Sequence, residues 1–119
     1  METITNICID LSYLHSVSGG DANFEKTLLT SAVNDIQNNI SKIKQAWLSE
    51  DAAEVSKLAH SLKSVMVIAG LPQFENACKK LDSIFRDGVF RPEEAGTISY
   101  ITSGWAEAKP KLEELISMY

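Results

Sequence analysis

The sequence predicts an all-α protein: an antiparallel up-down-up-down four-helix bundle with a short N-terminal helix capping one end. Two observations predict it. Apolar residues recur every three or four positions along most of the chain, and no stretch alternates with the period of two that marks a half-buried strand. The breaks between the periodic stretches are short, and short connections favour antiparallel neighbours. A chain of 119 residues suits one domain, residues 1–119, whose core needs no disulfide or metal to close it.

The elements follow in order. A first helix is expected over about Asp10 to Val17, with Leu11, Leu14 and Val17 on one side. Ser18-Gly19-Gly20 breaks it. Asp21 is then a good N-cap for a long second helix, because its carboxylate can accept from the unpaired N–H groups of the first turn. Phe24, Leu28, Ala32, Ile36, Ile40, Ile43 and Trp47 form the apolar stripe of that helix. Ser49-Glu50-Asp51 connects it to a third helix, from about Ala52 to Ala69, and Gly70 stands where a left-handed cap belongs. Pro72 suits the first turn of a fourth helix, where its missing N–H costs little. Phe74, Cys78, Leu81 and Phe85 make its stripe, and Gly88 closes it. The last helix begins near Pro92. Ile98, Ile101, Trp105, Ala108, Leu112, Leu115 and Tyr119 stay in phase across Pro110, which predicts one kinked helix rather than two unrelated ones.

Composition narrows the function. Apolar residues make up 45% and charged residues 23%, as in ordinary soluble domains. No apolar run approaches the roughly 18 residues of a membrane span, and the N-terminus lacks a signal-peptide pattern. A cytoplasmic protein with no membrane partner is expected. The net charge of -5 argues against general binding to nucleic acid. The charge is uneven, however. Lys57, Lys63, Lys79, Lys80 and Arg86 stand against only Glu75 and Asp82, so residues 57–86 carry +3 and the rest of the chain -8. A basic region on an acidic protein suggests a local anionic partner, although a solvated face gives the same pattern. Cys8 and Cys78 have no metal-type spacing with His15 or His60, so no metal site is expected. Unpatterned cysteines fit a reducing compartment. Cys78, Trp47 and Trp105 fall on apolar stripes and are read as core.

The informative residue is His60. With Leu62 at the centre of the buried face of the third helix, Val55, Leu58, Ala59, Val65, Met66 and Ala69 fall within roughly 60° of it at about 100° per residue. His60 falls about 160° away, among Ala53, Ser56, Lys57, Lys63, Ser64 and Val67. The imidazole should therefore be exposed. Lys63, at i+3, is close enough to reach an anion held on the ring. Ser64, at i+4, is small enough for another protein to approach, and Val67 is an apolar residue on a polar face, as in a contact surface. A neutral imidazole nitrogen is a good nucleophile, and an ordinary histidine, with a pKa near 6.5, is largely neutral at pH 7. Phosphoryl transfer to that nitrogen would place the group in solvent beside Lys63. No glycine-rich phosphate loop accompanies the histidine, so the donor must be another protein. His15, at the end of a short helix, is read as an ordinary surface residue.

These residues carry a resemblance. Ala59-His60-Ser61-Leu62-Lys63-Ser64, then Ala69-Gly70-Leu71, then Phe74-Glu75-Asn76-Ala77-Cys78-Lys79-Lys80-Leu81-Asp82, is similar to the histidine-containing phosphotransfer (HPt) domain family over nearly the whole chain. The Gly-Gly-Asp run before the second helix is also common in that family. The resemblance implies a phosphocarrier in which His60 accepts the phosphoryl group on Nε2. It implies that Lys63 stabilises the phosphohistidine and that Gly70 ends the active-site helix. It places Gln73 at a polar position of the next helix near the imidazole. Ser64 departs from the family, which usually has glycine there to clear space for the docking partner. Val67 is also bulkier than usual. The implied partners are receiver domains of response regulators, and a hybrid sensor histidine kinase, docking on the His60 face around Ser56, Lys57, Ser64 and Val67. The receiver supplies the acidic pocket and the Mg²⁺. The chain itself is expected to act as a monomer without a cofactor, a partial active site rather than a self-sufficient enzyme.

Two other classes compete. A kinase dimerisation-and-phosphoacceptor hairpin would dimerise and take phosphate from an ATP-binding domain. This chain, however, holds enough helices to close a bundle alone, and it lacks the proline that typically follows that other motif. In the second, an inert helical adaptor, His60 would have no chemistry at all.

Overall fold

The computed structural model describes residues 7–119. Among them lie five α-helices, two 3₁₀ turns and no strand. The helices are α1 (Ser12–Ser18), α2 (Ala22–Leu48), α3 (Ala52–Ile68), α4 (Glu75–Phe85) and α5 (Ala95–Ser117). The 3₁₀ turns, Pro72–Phe74 and Pro92–Glu94, lead into α4 and α5, and each opens on a proline. Both prolines stand where no N–H is needed, but the first turn of each predicted helix winds tighter than α.

The helix ends follow local chemistry. Asp21 accepts from the N–H of Phe24 at 3.0 Å, and Asp51 from the N–H of Glu54 at 3.2 Å. Each carboxylate thus caps its helix as a short polar residue should. Gly70 follows the last turn of α3 in the left-handed region, at φ 78°. A Cβ there would lie 2.8 Å from Ile9 Cγ2 and 2.9 Å from the Asp10 carbonyl oxygen. The Gly70 carbonyl in turn accepts from the Asp10 N–H at 2.8 Å. Glycine therefore both ends the helix and lets the segment before α1 lie against it.

The core sits between α2, α3, α4 and α5, with Leu14 of α1 sealed into it. α3 is central and packs against both α2 and α4. The stripe Phe74, Cys78, Leu81, Phe85 is wholly buried, and burial pushes the Cys78 thiol up to about 12. α5 runs through Pro110 as one helix, in line with its unbroken stripe. Trp105 is buried and donates its indole N–H to Gln37 Oε1 at 3.0 Å, the partner that an enclosed indole needs. Gly104 is a second required glycine, because an added Cβ would run into the ring of Phe74.

Two stretches depart from the predicted pattern. On α1 Val17 is exposed, and Ser18 is buried in its place, where its hydroxyl donates to Glu25. In the first turns of α2 the buried positions are Glu25 and Leu29, while Phe24 is exposed and Leu28 only partly covered. The stripe is offset by one residue there because Glu25 has tertiary hydrogen-bond partners that draw it inward.

Candidate functional site

The site is built on the face of α3 that looks away from the core. His60 is exposed, with two-thirds (66%) of its side chain accessible. Its ring is nevertheless fixed. Nδ1 lies 2.9 Å from Oδ2 of Asp82, across the interface on α4. Asp82 is buried and has two further donors. The Ser56 hydroxyl sits 2.9 Å from Oδ1 and 3.0 Å from the Asp82 main-chain carbonyl, and Arg86 Nη2 lies 3.1 Å from Oδ2. Burial pushes the Asp82 carboxyl up, but hydrogen bonds from His60, Ser56 and Arg86, with the charge of Arg86, outweigh it and leave the group below its ordinary value.

Asp82 is therefore an ionised acceptor, and Nδ1 carries the proton it accepts. In the uncharged ring that tautomer leaves the lone pair on Nε2, at the solvent side. The spacing explains how two helices make this arrangement. Ser56 and His60 are one turn apart on α3, and Asp82 and Arg86 one turn apart on α4, so each pair stands on one face.

Lys57 and Lys63 stand one turn to either side of His60 on α3. Among the described residues neither takes part in an ion pair. Lys63, Ser64, Val67 and Ile68 of α3 line a shallow surface hollow with Tyr13 of α1 and Glu75 of α4. It begins one turn beyond the imidazole. Lys57 and Ser64 are exposed, and Lys63 and Val67 are half-buried.

Two sequence expectations need correcting. Ser56 is not on the contact surface: it is buried, because its hydroxyl is spent on Asp82. Gln73 does not stand beside the imidazole. It lies in the 3₁₀ turn past the end of α3, and its amide donates to the Cys8 carbonyl at 3.4 Å. From His60 to Ile68 alone the helix rises about 12 Å. Asp82 takes the place expected for Gln73. In the sequence Asp82 stands out only as one of two acids in the basic region and as the end of the run Phe74 to Asp82, with no role of its own. Its signal was an acid three residues before Phe85 and four after Cys78, on the shoulder of a buried stripe, where a carboxylate must find partners. No group of three or more His, Cys, Asp or Glu side chains among the described residues is placed to hold a metal ion.

The fold and site define a class: all-helical domains that present an oriented, solvent-facing histidine. The comparisons with known proteins narrow it. The Hpt domain family profile matches residues 27–115, so the chain belongs to the Hpt domain family. Among solved structures, the chain is similar in fold to histidine-containing phosphotransfer protein B from Pseudomonas aeruginosa PAO1, with a TM-score of 0.80 at 21% identity over 93% of this chain and 96% of that one. It is equally similar to the HPT domain of a sensor hybrid histidine kinase from Shewanella, with a TM-score of 0.80 at 14% identity over 93% and 95% of the two chains. No curated protein matches the chain in sequence. Hpt domains are phosphotransfer carriers of two-component signalling, and the chain is one by family.

Proposed function

We propose that His60 is the phosphoacceptor of a phosphorelay carrier, charged by the aspartyl phosphate of one receiver domain and discharged onto another. The carrying observation is the pairing of an exposed ring with a buried acceptor: Nδ1 bonded to Asp82 at 2.9 Å while the ring faces solvent. In the transfer step the Nε2 lone pair forms an N–P bond as the acyl-phosphate P–O bond of the donor breaks, and the donor's aspartate leaves as a carboxylate. The ring then holds Nδ1–H and a positive charge that Asp82 offsets. Lys63, and to a lesser degree Lys57, offset the charge of the transferred group. The chain supplies nucleophile, orientation and docking face. The receiver supplies the leaving carboxylate and the Mg²⁺, so the chain is a carrier and not a self-sufficient enzyme.

Docking uses the hollow lined by Lys63, Ser64 and Val67, with Lys57 on the other side of the ring. A hybrid sensor kinase fits the same site as an upstream donor. The scaffold for this is a single monomeric domain, an antiparallel four-helix bundle with α1 as its cap, and a short α2–α3 connection supports that reading. The test is incubation with a panel of phosphorylated receivers. The expected result is acid-labile, base-stable phosphate on the chain, absent from His60→Gln. Phosphate retained by that variant overturns the assignment.

A further inference from the structure

An aspartate is a demanding partner for a nucleophilic histidine. It fixes the useful tautomer, but a bare carboxylate 2.9 Å from Nδ1 also favours the imidazolium, which has no lone pair on Nε2 to give. Orientation and nucleophilicity pull in opposite directions unless something else holds part of the carboxylate's charge. Ser56 does so without charge, on Oδ1. Arg86 brings a full charge and meets the same atom as the imidazole: Nη2 lies 3.1 Å, and Nδ1 2.9 Å, from Oδ2.

We propose that Arg86 is a positioning residue of the phosphoacceptor site: by sharing Oδ2 of Asp82 with the imidazole it lets the carboxylate orient His60 without holding the ring as imidazolium. This rests on the reading of His60 as phosphoacceptor. The other charged groups around the ring act in known directions. Lys57 and Lys63 on α3 disfavour the imidazolium, as does Lys79 on the Asp82 side of α4, while Glu75 favours it and is itself paired with Lys79 at 4.0 Å. α1 contributes the uncharged Tyr13 to this side. Of these groups Arg86 is the cation bonded to the acceptor atom. Its own side chain is 71% exposed, so its effect is graded by solvent screening and salt.

The experiment compares the full chain with Arg86→Gln and Arg86→Lys. Two readouts are followed across pH 5.5 to 9: labelling of His60 by phosphoramidate, a small phosphoryl donor that needs no docking, and titration of the His60 ring by NMR. In phosphoramidate labelling the lone pair of Nε2 attacks phosphorus, the P–N bond of the donor breaks and ammonia leaves. Arg86→Gln is expected to move the rise of the labelling profile to higher pH, slowing labelling about threefold on its acid side and little on its alkaline plateau. The ring titration should move the same way, and Arg86→Lys should restore most of both. Coincident titrations for the chain and Arg86→Gln overturn the proposal. So does a uniform loss of rate with an unmoved profile, which marks a merely structural role. His60→Gln is run beside them. Equal labelling of that variant sinks the phosphoacceptor reading instead, and the ring titration still decides the role of Arg86.

Discussion

His60 and His15 are held in nearly the same way. Each donates Nδ1 to a buried carboxylate, His60 to Asp82 at 2.9 Å and His15 to Glu25 at 2.8 Å. Each carboxylate also accepts from a buried serine, Ser56 or Ser18. Each ring is largely exposed, at 66% and 60%. The third donor differs. Asp82 has the charged Arg86, whereas Glu25 has the neutral hydroxyl of Tyr119. The surroundings differ more. His60 has lysines one turn away on both sides, while the helix that carries His15 holds no lysine, arginine, aspartate or glutamate. An oriented imidazole is thus common to both places, and flanking lysines belong to one.

The two carboxylates also do different mechanical work. Asp82 joins α3 to α4 through buried hydrogen bonds from Ser56. Glu25 gathers α1, the start of α2 and the residue beyond α5 into one knot. Tyr119, His15 and Ser18, in that order, hold the Glu25 carboxyl down at about 2. Burial and Glu25 push the Tyr119 hydroxyl up to about 12. On the proposed reading the first site serves chemistry, while the second ties α1, the start of α2 and Tyr119 together.

The comparison breaks most plainly by substitution of the rings. His60→Gln should remove all phosphate taken from a phosphorylated receiver, and His15→Gln should remove none, as counted by radiolabel and peptide mapping. Phosphate found on His15 would show that cations are not what separates the sites. Next in size, Asp82→Ala should slow phosphoryl uptake about 10- to 100-fold, the worth of a hydrogen bond to a charged partner that sets the tautomer. Glu25→Gln should leave the rate intact and lower the thermal midpoint. A reversed pattern would exchange the two roles.

Lys63→Ala sharpens the electrostatic half of the comparison. It should slow transfer about two- to fivefold, with an unchanged melting curve and less dependence on salt. The knot at Glu25 has a pH signature of its own. The folded carboxyl lies below its unfolded value of 4.5, so its contribution is present above pH 4.5 and fades as pH falls toward about 2. The Tyr119 hydroxyl lies above its unfolded value of 10, so its contribution is present below pH 10 and fades toward about 12. Urea midpoints of the chain and Glu25→Gln should converge at both extremes and differ between them. A constant difference would mean that the carboxyl stabilises by shape alone.

Much of this was legible in the order of residues. The periodic stripes placed every helix, Asp21 and Gly70 marked ends that formed where expected, and the angular position of His60 opposite Leu62 put the ring outside. These are local matters, set by a residue and its neighbours within a turn or two. The same geometry misplaces Ser56. A helical wheel places it on the outer face of α3, and only the arrival of α4 buries it. Gln73 was misplaced because a resemblance in residue type does not carry a distance along a helix axis. The sequence pattern puts Phe24 and Leu28 on the stripe of α2 because an acid at 25 has no reason to turn inward until His15, Ser18 and Tyr119, the last 94 positions away, supply donors.

The sequence by itself therefore determined the helices, the caps at Asp21 and Gly70, most of the buried stripes and the outward histidine. Tertiary structure alone decided which carboxylate each histidine meets, which serine is sealed beneath it, and which cation shares its oxygen. The reason is physical. Helical phase depends on the regular rise and turn of one backbone. A hydrogen bond across two helices depends on their relative rotation and axial shift, which the packing of the whole core sets at once.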